Sequence, residues 1–175
     1  MPELLPRTPA PALTFQTLDG PFDLSTCAPR HFTMIVVYRG LHCGICKKQL
    51  QQLEAMLEDF TAAGIQAVAV SSDPEEKAAQ ARDTWGLPNL PIGYDLPFSV
   101  AKDWSLFISN ARKAGEPETF FEPGLFLVRG NGELFFASIQ NMPFGRSDLA
   151  EVLAWAKKSI DNDIPARGEV SAAQF

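Results

Sequence analysis

An α/β domain with a mixed central β-sheet flanked by helices is the fold class that three features of the sequence predict. A strand, helix, strand unit runs from Phe32 to Val70, a hairpin signal stands on either side of it, and an amphipathic helix follows the second hairpin. The element order of hairpin, βαβ, αβα, hairpin, α supplies strands of both directions and helices to cover them.

The elements follow in order. Residues 1–12 are proline-rich and are expected to precede a domain spanning 13–160. Leu13 to Leu24 alternates around Asp19-Gly20, which predicts an N-terminal β-hairpin. Phe32 to Tyr38, FTMIVVY, has the β-branched and aromatic character of a strand buried on both faces. Leu50, Leu53, Leu57 and Phe60 recur at helical spacing opposite Lys47, Gln51, Glu54 and Glu58, and Gly64 ends that helix. Ile65 to Val70 resumes the β pattern as a parallel strand. Asp73-Pro74-Glu75-Glu76 reads as a helix start with Asp73 as N-cap, and the helix is expected to reach about Trp85. A short strand at Pro91 to Tyr94 and a helix near Ser99 to Trp104 come next. The polar, broken stretch Ser109 to Glu122 reads as a surface loop. Leu125 to Val128 and Glu133 to Ile139 flank Asn131-Gly132, a hairpin signal. Ser147 to Ile160 presents Leu149, Val152, Leu153, Ala156 and Ile160 on one helical face, and 161–175 is expected to be an extended tail.

With 175 residues, the chain is long enough to bury roughly 70% of its unfolded surface as one domain without structural disulfides. The formal charge of −6 and pI near 4.9 argue against nucleic-acid and anionic-membrane partners, which require a basic face. No run approaches the ~20 apolar residues of a membrane span. The start, MPELLPRTPAPALTF, is acidic and proline-broken where a secretory leader needs a basic start and an unbroken apolar stretch. A cytoplasmic location is therefore expected, where a disulfide is transient.

The chemistry is concentrated in Tyr38-Arg39-Gly40-Leu41-His42-Cys43-Gly44-Ile45-Cys46-Lys47-Lys48. Two thiols separated by Gly44 and Ile45, at the carboxyl end of a strand and on the first turn of a helix, can close a disulfide and reopen it. The free N–H groups and dipole of that helix end favour a thiolate at Cys43 or Cys46, and Arg39, Lys47 and Lys48 act in the same sense. Two other readings compete: a pair of small buried hydrophobes, and a zinc site completed by Cys27 and His31. Zinc is disfavoured because the seven strand residues between His31 and Cys43 hold them about 23 Å apart. No metal or cofactor is therefore expected, and Cys27 is left as a bystander thiol.

The blocks FTMIVVYRGLHCGIC, AVAVSSDPEE, PIGYDLPFSVAKDW and PGLFLVRGNGEL together resemble the peroxiredoxin-like (AhpC/TSA type) branch of the thioredoxin-fold superfamily, in its CxxC-containing subgroup. The resemblance covers Leu13 to Ile160 and implies a thioredoxin-like fold with an N-terminal β-hairpin extension. Laid on this chain, the family's TxxC motif puts the peroxidatic cysteine at Cys46 and replaces its threonine by Cys43. The family's catalytic arginine falls on Pro123. Losing both groups removes donors that would stabilise charge on a leaving oxygen. The same changes bring the site closer to ordinary thioredoxins, whose cis-proline Pro123 would match; a simple proline opening a strand is the equal alternative. His42 stands where thioredoxins have tryptophan, where it would shuttle protons, raise thiolate content when charged, or simply be an exposed loop residue.

The resemblance implies a thiol-dependent oxidoreductase. The expected activity is thiol–disulfide exchange through Cys43 and Cys46, with a thiol reductant such as thioredoxin or glutathione and a possible homodimer. Hydroperoxide reduction, with Cys46 peroxidatic and Cys43 resolving, is the alternative, and Arg39 or His42 would then replace the missing arginine. A non-enzymatic redox-sensing module, presenting Phe120, Phe121 and Phe144 to a partner, is a third reading. Which cysteine attacks is open: thioredoxin precedent favours Cys43 as the more exposed, peroxiredoxin precedent Cys46.

Overall fold

The buried run FTMIVV forms an interior strand of a seven-stranded mixed sheet in the computed structural model, which describes residues 3–175. The strands are β1 (Thr14–Thr17), β2 (Gly20–Asp23), β3 (Phe32–Val37), β4 (Ile65–Val70), β5 (Ile92–Tyr94), β8 (Gly124–Arg129) and β9 (Leu134–Ile139), in the order β2-β1-β5-β4-β3-β8-β9. β3 runs parallel to β4 and antiparallel to β8, with Ile35 opposite both Val68 and Phe126. The predicted N-terminal hairpin, β1 with β2, joins the sheet through antiparallel pairing of β1 with β5.

Side chains alternate across β3, so each face of the sheet has its own core. Phe32, Met34, Val36 and Tyr38 pack with Leu50 and Leu53 of α1 (Gly44–Ala55), Ala78 and Trp85 of α3 (Glu75–Trp85), and Leu149 and Val152 of α5 (Leu149–Asp161). Ile35 and Val37 face the other way, onto Phe126, Phe121 and Trp104 of α4 (Val100–Trp104). Full burial of a Leu, Ile, Met or Phe side chain, as at Phe32, Met34, Ile35, Leu50 and Leu53, contributes about 1.5–3 kcal/mol relative to exposure.

Three expectations are corrected. The helix after the cysteines is not continuous: α1 stops at Met56, whose amide is shared between the Gln52 and Leu53 carbonyls, and α2 (Leu57–Ala62) restarts so that Phe60 still reaches the core. Asp73 does not cap α3. Its carboxylate is buried and accepts the Leu41 amide at 2.7 Å, a long-range partner that outcompetes the local N–H groups. The stretch Ser109 to Glu122 is not simply a loop, because β6 (Ile108–Asn110) and β7 (Thr119–Phe121) pair into a separate hairpin. Phe120 and Phe121 are buried by that hairpin, so of the aromatics assigned to a partner-binding surface only Phe144 is exposed.

Both terminal segments lie against the β9 side of the sheet. The amides of Arg7 and Leu134 bond the carbonyls of Leu134 and Thr8. After α5 the Arg129 guanidinium donates to the Ile164 carbonyl, and Arg7 pairs with Glu169. Among the described residues no helix is long and apolar enough to cross a membrane.

Candidate active site

The junction of β3 and α1 puts both cysteines at the end of an interior strand, where the chain must turn from a sheet into a helix. Cys43 is the N-cap residue: its sulfur accepts the Cys46 amide at 3.3 Å, doing with a soft acceptor what serine or aspartate usually does. Cys46, one turn into α1, accepts the Arg39 amide at 3.4 Å. Both are free thiols and both are buried, Cys43 at 3% and Cys46 at 0% exposure. Gly44 and Ile45, by contrast, face outward.

Two guanidinium groups converge on the sulfurs. Arg39 Nη1 lies 3.9 Å from Cys43 Sγ. Arg146 Nη2 lies 3.1 Å from Cys46 Sγ and 3.9 Å from Cys43 Sγ. Arg146 is held in place by its own Nε, which donates to the Pro143 carbonyl at 2.6 Å, and by Nη1, which donates to Gln49 Oε1 of α1. No hydrogen bond joins Lys47 or Lys48 to either sulfur among the described residues, so the local positive charge comes from arginines instead.

The environment separates the two thiols. The Cys46 thiol, its amide and the two guanidiniums favour a Cys43 thiolate and pull its pKa down to about 5. Burial, and then the negative charge growing on Cys43, push Cys46 well above the ordinary thiol range.

His42 does not supply a charge. It is half-buried with its ring 4.8 Å from that of Phe120, and its two nitrogens have no protein partner. Burial and the nearby Arg39 cation lower its pKa to about 4, which favours the uncharged imidazole at neutral pH. Pro123 is buried at the start of β8 and, like all described residues, follows a trans peptide bond, which removes the cis alternative. Its carbonyl accepts the Gln140 amide at 2.9 Å, and with Gln49 and Arg146 it lines a narrow cleft beside the cysteines.

Arg146 was not visible in the sequence as a site residue. It lies 100 positions after Cys46, in an irregular stretch between β9 and α5, and no spacing rule ties it to the cysteines. Cys27 is half-buried beside the Asp23 carbonyl, outside the set of residues that contact the cysteine pair.

A strand, a thiol pair on the following helix and a parallel β4 beside them match what comparison with known proteins finds. The AhpC/TSA family model matches residues 6–136, well over half of the chain. The chain belongs to the AhpC/TSA family. Within the family it is 34% identical over 105 residues to "Putative peroxiredoxin Rv2521" of Mycobacterium tuberculosis, a match covering 59% of this chain and 66%, just under two thirds, of that relative. Solved structures agree on the fold. The reduced 2-Cys peroxiredoxin of Plasmodium vivax superposes with a TM-score of 0.76 at 16% identity, over 97% of this chain and 93% of that one. Peroxidoxin BcpB of M. tuberculosis gives 0.72 at 14% identity, over 90% and 99%. This member of the AhpC/TSA family thus has the thioredoxin-like fold expected from its sequence.

Proposed function

We propose that this AhpC/TSA protein is a dithiol peroxidase in which Cys43 attacks and Cys46 resolves. The Cys43 thiolate attacks the distal oxygen of a small hydroperoxide. A sulfur–oxygen bond forms, the oxygen–oxygen bond breaks, and the alkoxide or hydroxide leaves as alcohol or water after taking a proton. Cys46 then attacks the Cys43 sulfenic acid, its thiol proton and the sulfenic hydroxyl depart as water, and a Cys43–Cys46 disulfide remains. An external thiol reductant, of the thioredoxin or glutathione class, reduces that disulfide by exchange.

The observation that carries this reading is the burial of the Cys43 sulfur between the Arg39 and Arg146 guanidiniums. A site this enclosed admits a small oxidant more readily than a protein disulfide. In this reading the two cations, both within 3.9 Å of the Cys43 sulfur, stabilise the charge that develops on the leaving oxygen, the role vacated at Pro123. Assigning attack to Cys43 departs from the peroxiredoxin pattern, and its reason is electrostatic: the buried Cys46 keeps its proton beside a Cys43 anion.

Thiol–disulfide exchange is the second reading, favoured by the contrast of a low-pKa thiol at the first CxxC position and a high-pKa thiol at the second. The test is the second-order rate of thiol loss to hydrogen peroxide, measured beside the rate with glutathione disulfide, in the wild type, Cys43→Ser and Cys46→Ser. Rapid peroxide consumption, with sulfenic acid trapped on Cys43 in Cys46→Ser, is the expected result. A peroxide rate no greater than that of an ordinary thiol, beside fast disulfide exchange, would replace this reading by the second.

A further inference from the structure

One buried carboxylate close to the thiols has no part in the chemistry above. Glu122 precedes Pro123, next to the position where the family resemblance calls for an arginine, and it is only 3% exposed. Its Oε1 accepts the Ser109 hydroxyl of β6 at 2.7 Å, and its Oε2 lies 3.1 Å from Arg39 Nε. Arg39 is thereby gripped on several sides. Glu116, from the tip of the β6–β7 hairpin, approaches Nη2 at 3.6 Å, and the Phe120 ring lies 4.7 Å beneath the guanidinium carbon. The remaining Nη1 is the atom that faces Cys43 at 3.9 Å.

A buried carboxylate is costly unless it is paired and hydrogen-bonded; here Oε1 accepts the Ser109 hydroxyl, and Oε2 is ion-paired with Arg39 Nε without the alignment of a hydrogen bond. Its pairing also has a directional result. A free arginine side chain has several rotatable bonds and would seek water; one fixed at Nε by Glu122 and at Nη2 by Glu116 can only present Nη1 to the sulfur. The β6–β7 hairpin supplies the three groups that touch Arg39, namely Glu116 at its tip, Phe120 in β7 and Glu122 just after it, and Ser109 of β6 holds Glu122.

We infer that Glu122 is a positioning residue which, held by Ser109, locks Arg39 onto Cys43 and so determines that Cys43 is the sulfur that attacks. The inference rests on the assignment of Cys43 as attacking thiol, and it makes the β6–β7 hairpin part of the site. It also opposes a simple charge argument. Glu122 is itself an anion near a thiolate, so if it acted only through its own field, its removal would favour the Cys43 thiolate. If it acts by holding Arg39, its removal disfavours that thiolate. The other charged and titratable groups around Cys43 are Cys46 and Lys47 of α1, Arg146 from the loop before α5, Glu116 and Lys113 of the hairpin tip, and His42, all of which stay unchanged in the comparison.

The deciding experiment follows alkylation of Cys43 by iodoacetamide as a function of pH, resolved by peptide mass spectrometry, in wild type, Glu122→Gln, Arg39→Ala and the double variant. In Glu122→Gln the midpoint is expected to move to higher pH, with Cys43 alkylation at pH 6 falling severalfold. In the Arg39→Ala background the same substitution is expected to give no upward shift, since the residue it acts through is gone. Ser109→Ala, which leaves the carboxylate in place but loosens it, should give a smaller shift of the same sign and serves if Glu122→Gln does not fold. An unchanged or lowered midpoint in the folded variants overturns the inference, as does an upward shift that persists without Arg39. Alkylation is read without any peroxide, so absent turnover in the wild type would refute the proposed activity while leaving this result to stand or fall separately.

Discussion

The Asp73 carboxylate occupies the space that a Cβ on Gly40 would need: an added Cβ would lie 2.8 Å from Oδ2 and 2.9 Å from Oδ1. Gly40 also has φ of +126°, a conformation L side chains rarely adopt. Together these let the chain leave β3, hand the Leu41 amide to Asp73, and arrive at Cys43 in register to cap α1. The loop carrying Arg39, His42 and Cys43 is thus fastened to the end of β4 by one residue without a side chain and one buried acid.

Gly40→Ala should accordingly destabilise the protein by roughly 2 kcal/mol or more, since backbone strain of this kind costs about 1–3 kcal/mol and a steric conflict with Asp73 adds to it. Urea unfolding of the reduced protein measures this. A midpoint equal to that of the wild type would show that the loop can re-route without loss.

Arg146→Gln removes the cation that contacts both sulfurs while keeping a side chain able to hydrogen-bond. Hydrogen bonds to charged groups contribute about 1.5–3 kcal/mol, so the peroxide rate constant at neutral pH is expected to fall about 10- to 100-fold. The Cys43 titration should move to higher pH in the same variant. Stopped-flow tryptophan fluorescence and thiolate absorbance provide the two readings, and a wild-type rate in this variant would remove Arg146 from the mechanism.

How far such features can be read in advance depends on whether they are local. β3 and β4 were legible as short, nearly continuous apolar runs, α3 from the Pro74-Glu75-Glu76 start, α5 from an apolar face at helical spacing, and the CxxC because its members are three residues apart. β6 and β7 were missed: each has three residues, too few for a period to register, and Phe120 and Phe121 are separated from Ile108 by the polar tip. Asp73 satisfied every local rule for an N-cap and was claimed instead by a loop 32 residues earlier. Arg146 and Glu122 belong to the site only through the folding of β8, β9 and the β6–β7 hairpin around β3, which residue spacing does not encode. Arg39 was legible as a charge near the thiols because it lies only four residues before Cys43.

His42→Phe tests whether the imidazole takes part. With its pKa near 4, His42 is uncharged across the working range, and phenylalanine preserves the packing on Phe120. The Cys43 titration and the peroxide rate at pH 7 should therefore stay within about twofold of wild type. Stability should change with pH in a defined direction. A histidine whose folded pKa lies below its unfolded value binds its proton more tightly when unfolded, so wild type loses stability as pH falls from 6.5 through about 4, and the phenylalanine variant is spared that part of the loss. A large upward shift of the Cys43 titration in His42→Phe would instead reveal a charged histidine at work.

The thiolate has a consequence of the same kind with the opposite chemistry. In the folded protein Cys43 is held at about 5 against an ordinary value of 9.0, so between those limits the unfolded chain carries a proton that the folded chain has released. Stability must then rise with pH across that window, by up to about 1.4 kcal/mol per pH unit for one proton. It is fully present above the unfolded pKa and lost as pH falls through the folded one. Cys46, whose pKa moves up, acts in the reverse sense only above the ordinary thiol range and so leaves this window alone. Reduced wild type compared with the Cys43→Ser, Cys46→Ser double variant, each unfolded by urea at intervals from pH 5 to pH 9, should show the extra positive slope in wild type only. Oxidation to the Cys43–Cys46 disulfide removes the titrating thiols and should abolish the slope, whatever it does to stability itself. Parallel curves for the reduced wild type and the double variant would mean that the folded protein keeps its proton on both sulfurs, and that the two arginines stabilise no thiolate before a substrate arrives.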